Sequence, residues 1–173
     1  MRVVEAPEKY EIKENDICCF LAGGITGRPD WQKEVIKLLQ EKNPENLVIF
    51  NPRRKDFDFT DPFASRKQIE WEFYYLNRMD IFSMYFCKDT IQPICLYELG
   101  RYMEVMKNRF PDSYIDRIII SIEPVYARMY DVIDQANLAL GYDESTNQHI
   151  WYHTTSYKLH AEEIMRAYER ILR

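Results

Sequence analysis

The sequence predicts an α/β protein, with a parallel five-stranded sheet between two layers of helices. Three observations predict it. Short apolar runs recur along the chain, at residues 17–22, 47–50, 81–86, 117–122 and 149–152. The residues of those runs are apolar at consecutive rather than alternate positions, as in strands covered on both faces. The segments between them carry apolar residues at helical spacing, so strands and helices alternate. Right-handed crossovers then give a doubly wound, three-layer α/β/α sandwich with flavodoxin-like strand order.

The elements follow in order. Residues 1–15 read as a polar lead-in. The first strand, 17–22, ends in a turn carrying Gly23, Gly24 and Gly27. Asp30 is placed to cap the next helix, in which Trp31, Val35, Leu38 and Leu39 share a face, and Asn43-Pro44 stops it. The second strand closes at Asn51-Pro52, and a polar, aromatic loop runs through Pro62. Ser65 followed by Gln68 resembles a capping box opening a helix to about Met79. After the third strand, Pro93 suits the first turn of a helix reaching about Arg109. The fourth strand ends at Glu123-Pro124, Val125 to Leu140 reads as helix, and an amphipathic helix from Ser156 to Leu172 closes the chain. No repeat or linker interrupts the 173 residues, so a single domain spanning 1–173 is expected.

Composition bounds the function. The net charge of −5 argues against binding of a nucleic-acid polymer, which needs a concentrated basic surface. The clusters Arg53-Arg54-Lys55 and Arg66-Lys67 are short and read as solvated surface. Cys18, Cys19, Cys87 and Cys95 include no CxxC pair, and buried reduced thiols are expected. The three histidines lie near the C-terminus and give no zinc pattern, so neither metal nor other cofactor is expected. No run approaches the ~20 apolar residues of a membrane span, and the charged N-terminus lacks an apolar signal core. A cytoplasmic protein is the expectation. Thirteen tyrosines suit a pocket lining or a subunit contact.

In a doubly wound sheet ligands bind beyond the carboxyl ends of the strands. Two carboxylates stand out near that rim. Glu98, read as lying in the first turn of the helix opened by Pro93, would be kept ionised by the helix amides. Two readings stand for it: a solvated glutamate at a helix start, or an anion able to attack an anomeric carbon. Gly100, inside the same helix, costs about 1 kcal/mol relative to Ala, which a tight backbone contact beside the site would justify. Glu72 shares a helix face with Gln68 beside an apolar stripe of Ile69, Phe73 and Leu76. It is either a surface residue or, with Trp71, Tyr74 and Tyr75 around it, a proton donor raised by desolvation. Asp80, at the opposite end of the third strand, reads as structural. The turn at Gly23 and Gly24 can present amides to a ligand but matches neither a dinucleotide fingerprint nor a P-loop.

Taken together, Phe20 to Ile25 with Trp31, Asn51-Pro-Arg-Arg54, Gln68-Ile-Glu-Trp-Glu72, Asp80-Ile81 and Tyr97-Glu-Leu-Gly100 resemble the nucleoside 2-deoxyribosyltransferase superfamily, in particular its deoxyribosyltransferase-like branch. The likeness spans about residues 17–105. It implies cleavage of an N-glycosidic bond, with Glu98 as the nucleophile that forms a glycosyl-enzyme and Glu72 handling protons on the base. It implies Gly23, Gly24, Ile25, Asn51, Arg53, Gln68 and Gln92 as substrate-binding residues. Gln92 stands where many transferases carry an aspartate that holds the sugar. An amide there can still bond a sugar hydroxyl, without charge. The resemblance also implies a homo-oligomer, because related sites are completed by a polar group of a neighbouring subunit. Two other activities fit the same residues. One is hydrolysis of a nucleoside 5′-monophosphate, with Arg28, Arg53 or Arg54 meeting the phosphate. The other is a non-catalytic nucleotide sensor.

Overall fold

The computed structural model describes residues 1–58, 60–141, 151–153 and 156–173. The strands are β1 (Arg2–Glu5), β2 (Ile17–Gly23), β3 (Leu47–Asn51), β4 (Ile81–Phe86), β5 (Ile118–Ile122) and β6 (Trp151–His153). The helices are α1 (Trp31–Lys42), α2 (Ala64–Leu76), α3 (Pro93–Arg109), α4 (Met129–Leu140) and α5 (Tyr157–Ile171). Each strand pairs parallel to its neighbours, in the order β1-β3-β2-β4-β5-β6. From β2 to β6 these are the expected five, in flavodoxin-like order.

The addition is β1. Residues expected to be a polar lead-in pair with β3, Val3 opposite Ile49 and Val4 opposite Phe50. This strand is only four residues long, and Val4 alone of the four is buried. An edge strand bonded on one side needs no continuous apolar run, so the signal that revealed the others is missing here. The strand expected at 149–152 is β6; positions 149 and 150 lie outside the described residues.

The pleat sorts the core into two layers. Cys18, Phe20 and Ala22 of β2 join Trp71, Leu99, Met103 and Ala136 from α2, α3 and α4. Cys19 and Leu21 face the other way, to Trp31, Val35 and Leu39 of α1 and Ala161 and Ile164 of α5. All four cysteines are free and buried, as expected. A buried polar group also lies on the α1 and α5 side of the sheet. His160 of α5 is wholly buried, with Ser83 Oγ 2.7 Å from its Nε2 and Ser121 Oγ 2.7 Å from its Nδ1. Burial pushes its imidazole down to about 3. It is therefore neutral, with one ring nitrogen donating and the other accepting. This pins α5 across β4 and β5.

Two helix boundaries differ from expectation. The capping box at Ser65 is not used: α2 begins at Ala64 behind Phe63, with no side-chain cap. Asp61 turns the chain instead, its Oδ1 accepting from the Phe63 amide at 2.8 Å and its carbonyl from the Ala64 amide at 3.0 Å. The next difference lies after β5, where Val125 takes a φ of 63°. A β-branched residue in the left-handed region cannot continue a helix, so α4 starts at Met129 rather than Val125.

Topology places the ligand crevice. The chain leaves β2 for β3 on one side and returns to β4 on the other side of β2. The loops after β2 and β4 therefore diverge, opening a cleft at the carboxyl ends of these two central strands.

Candidate active site

A cavity of about 300 Å³ occupies that crevice. Gly23, Gly24, Ile25 and Thr26 reach it from the loop after β2, Pro52 from the end of β3, and Thr90 and Gln92 from the loop after β4. Ile94, Cys95 and Glu98 line it from α3, and Glu72 from α2. A second lobe adjoins it, sharing Ile25, Thr26, Pro52 and Glu72 and adding Gln68, Arg54 and Phe57. Glu72 thus stands where the two lobes meet.

Glu98 projects into the cavity, but it lies in the second turn of α3. Pro93 opens the helix and its first turn holds no acidic residue. The dipole argument for a permanently ionised Glu98 loses its basis, because that field fades beyond the first turn. Burial, then the nearby Glu72 carboxylate, push its carboxyl up to about 8. At pH 7 Glu98 is therefore mostly protonated. Burial also raises Glu72, opposed by a hydrogen bond from Gln68. Two neighbouring carboxyls, one of them raised by the other's charge, can hold one proton and one charge between them. Gly100, in contrast, faces open space, with no atom within 4 Å of where a Cβ would stand. No tight contact explains that glycine.

Each glutamine of the cleft is locked by its amide nitrogen. Gln68 Nε2 donates to the Pro52 carbonyl at 2.7 Å and to Glu72 Oε1 at 2.8 Å. Gln92 Nε2 donates to the Cys87 carbonyl at 2.7 Å and the Thr90 carbonyl at 3.2 Å. Both Oε1 atoms are buried without a partner. Gln92 also holds a left-handed φ of 52° as the residue capping α3. For a non-glycine residue this is strain of a kind that clusters at functional sites.

The glycine turn fits tightly against these groups. A Cβ on Gly23, whose φ is 147°, would stand 2.4 Å from the Tyr85 carbonyl oxygen. On Gly24 it would stand 2.5 Å from Gln92 Oε1. At Gly23 only a bare backbone lets the loop close over β4, while at Gly24 a side chain would have to displace the Gln92 amide.

Asn51 and Arg53 stand behind the turn and do not line the cavity. Asn51 Oδ1 accepts from the Arg53 amide at 3.1 Å. The Arg53 guanidinium donates to Gln32 Oε1 at 2.9 Å and to the Pro29 carbonyl at 3.0 Å, with Asp30 at 3.3 Å. Its contacts brace the β2–α1 loop from below. Arg28, on that loop, is paired with Asp89 of the β4–α3 loop at 2.8 Å. Sequence reasoning missed Thr26, Thr90, Ile94 and Cys95 as lining residues. Thr26 and Thr90 follow strand ends, and Ile94 and Cys95 stand in the first turn of α3, at the same rim of the sheet. Asp80 is structural as expected: its Oδ2 accepts from the Cys18 amide at 2.9 Å, at the far end of β4.

The fold is a doubly wound sheet with two neighbouring carboxyls in its switch-point cleft, the place where such sheets bind small ligands. Residues 17–110 match the sequence model of the family described as nucleoside 2-deoxyribosyltransferase like. That is more than half of the chain's 173 residues, and the chain belongs to this family. The match runs from β2 through α3 and so includes both carboxyls. No curated protein matches the chain.

Proposed function

We propose that the chain is a single-domain enzyme that cleaves the N-glycosidic bond of a (deoxy)nucleoside and passes the sugar to another base or to water. The observation that carries this reading is the placement of Glu98 and Glu72 in one cavity at the switch point of the sheet. A carboxylate oxygen of Glu98 attacks C1′, the C1′–N bond breaks, and its electron pair leaves on the base. Glu72 supplies a proton to that base. A second base or water then attacks C1′ from the vacated face and expels Glu98, so two inversions retain configuration. The proton held on Glu98 moves to Glu72 as the ligand enters, which frees the nucleophile and arms the acid together. Gln92 Oε1, an acceptor with no donor of its own, suits a sugar hydroxyl.

A nucleoside rather than its 5′-monophosphate is the favoured substrate. No Lys or Arg is among the described residues lining the inner cavity. Arg28 and Arg53 are engaged elsewhere, and two carboxyls would repel a phosphate. The second lobe carries Arg54 and Lys55, but with Asp56, Asp58 and Glu72 beside them. The apolar side chains exposed on α2 and α3 support a homo-oligomer.

The test is incubation with a 2′-deoxynucleoside and a different free base, followed by chromatography. Exchange is expected for the wild-type chain. In Glu98→Gln it is expected to fall at least about a thousandfold, since removing a covalent nucleophile removes the step it opens. Wild-type exchange by that variant would refute the assignment. Binding without turnover by the wild-type chain would support the sensor reading instead.

A further inference from the structure

The cleft offers a ligand several acceptors, and the two amide side chains in its walls have no donor left to give. Gln68 has spent both N–H groups, on the Pro52 carbonyl and on Glu72. The reversed amide would set its oxygen against the Pro52 carbonyl oxygen, so the orientation is fixed by its partners. What remains is Oε1, buried and unpartnered, on a side chain that lines the lobe continuing past Glu72 from the cavity of Glu98. Gln92, 7% exposed at the other end of the cleft, repeats the arrangement. A buried acceptor without a donor is a rare state that calls for an explanation.

A sugar whose C1′ lies at Glu98 and whose base is served by Glu72 directs that base toward Gln68. We propose that Gln68 is a specificity-determining residue, and that the cleft takes nucleosides whose base carries an exocyclic amine in preference to those with a carbonyl at that position. This rests on the reading of the cleft as a nucleoside site. An amine brings two hydrogens, one for Gln68 Oε1 and one for the carboxyl oxygen of Glu72 beside it. A carbonyl at the same place sets oxygen against Gln68 Oε1 and leaves the glutamine unpaired, even where a protonated Glu72 donates to it. Sites built to receive a donor reject the analogue lacking it far more sharply than apolar pockets reject a shape. Nothing in this argument requires catalysis, so it is separable from the transferase mechanism.

The experiment measures binding by calorimetry for two matched pairs, 2′-deoxyadenosine against 2′-deoxyinosine and 2′-deoxycytidine against 2′-deoxyuridine. In at least one pair the amino member is expected to bind about tenfold or more tightly, a difference of about 1.4 kcal/mol. In Gln68→Met, which keeps length and helix propensity, the ratio falls toward one. Loss of a strut for Glu72 alone would weaken both members equally and leave the ratio intact. Gln68→Glu supplies a second variant: it keeps an acceptor, so the amino preference persists while the oxo member weakens further. Amino-selective binding without base exchange would remove the catalytic reading and leave this one standing. Equal binding within both pairs, no binding of any of the four, or a preference that survives Gln68→Met overturns it.

Discussion

At position 98 the carboxyl is both the proposed nucleophile and, before substrate enters, an acid. Its pH behaviour follows from its shift, up to about 8 through burial and the Glu72 charge. The proposed active form holds one proton on the pair, and that proton is lost as pH rises through about 8, so kcat/KM for base exchange is expected to fall as pH rises from about 7 to about 9. Stability runs the same way. A carboxyl with a folded pKa raised above its unfolded value of about 4.3 favours the fold while protonated. That contribution is complete below the unfolded pKa and is lost as pH rises through about 8. Glu98→Gln is neutral throughout. It is therefore expected to gain thermal stability relative to the wild-type chain across that window, measured as the difference in Tm between pH 5 and pH 8.5. A Tm difference that stays flat with pH would mean that Glu98 is as well solvated in the fold as out of it. Sequence showed that two carboxylates stood near the rim. It could not show their ionisation, because desolvation and mutual repulsion belong to the assembled cavity.

Elements were legible to different degrees, for physical reasons that particular residues make plain. β2, β3, β4 and β5 are buried along almost their whole length, and a strand covered on both faces must be continuously apolar. α1 was legible at its start because Asp30 does cap it, accepting from the Lys33 amide at 3.1 Å. β1 was not legible, because an edge strand imposes so little on its sequence. At α2, Ser65 and Gln68 mimic a capping box, but Gln68 is committed to Glu72 one turn on and to the Pro52 carbonyl after β3, and the second bond is a tertiary demand with no local signature. In α3, Gly100 looked like a point of close packing and instead faces solvent. With open space at its Cβ position and helical neighbours, Gly100→Ala is expected to stabilise the chain by about 0.5–1 kcal/mol, by restricting the unfolded state and improving helix propensity. Urea denaturation measures this. A loss of stability would show that another surface rests on the helix there.

On the scale of the whole molecule, the unresolved demand is an apolar face beside the cleft. Ile69 and Phe73 of α2 are 62% and 50% exposed, and Ile94 and Tyr97 of α3 are 67% and 66% exposed. The Arg101 guanidinium lies 4.8 Å from the centre of the Phe73 ring and joins the two helices into one surface. Four large side chains at helical spacing across two neighbouring helices exceed the scattered exposure normal for a monomer. Ile94 also lines the cavity, so whatever covers this face borders the site. A second copy of the chain is the expected cover, in keeping with the shared sites that the family resemblance implies. Light scattering at micromolar concentration is expected to give a multiple of the 20.9 kDa chain mass. Phe73→Asp combined with Tyr97→Asp should return a single chain mass, since each charge would have to be desolvated at the contact. Neither residue touches the core of the fold, so far-UV circular dichroism should be unchanged. Base exchange should fall in the same variant if the neighbour completes the cleft, and should stay level if the contact only joins subunits. A wild-type chain that scatters as one subunit would show that this face is left to water, and that the cleft works with the residues of one chain alone.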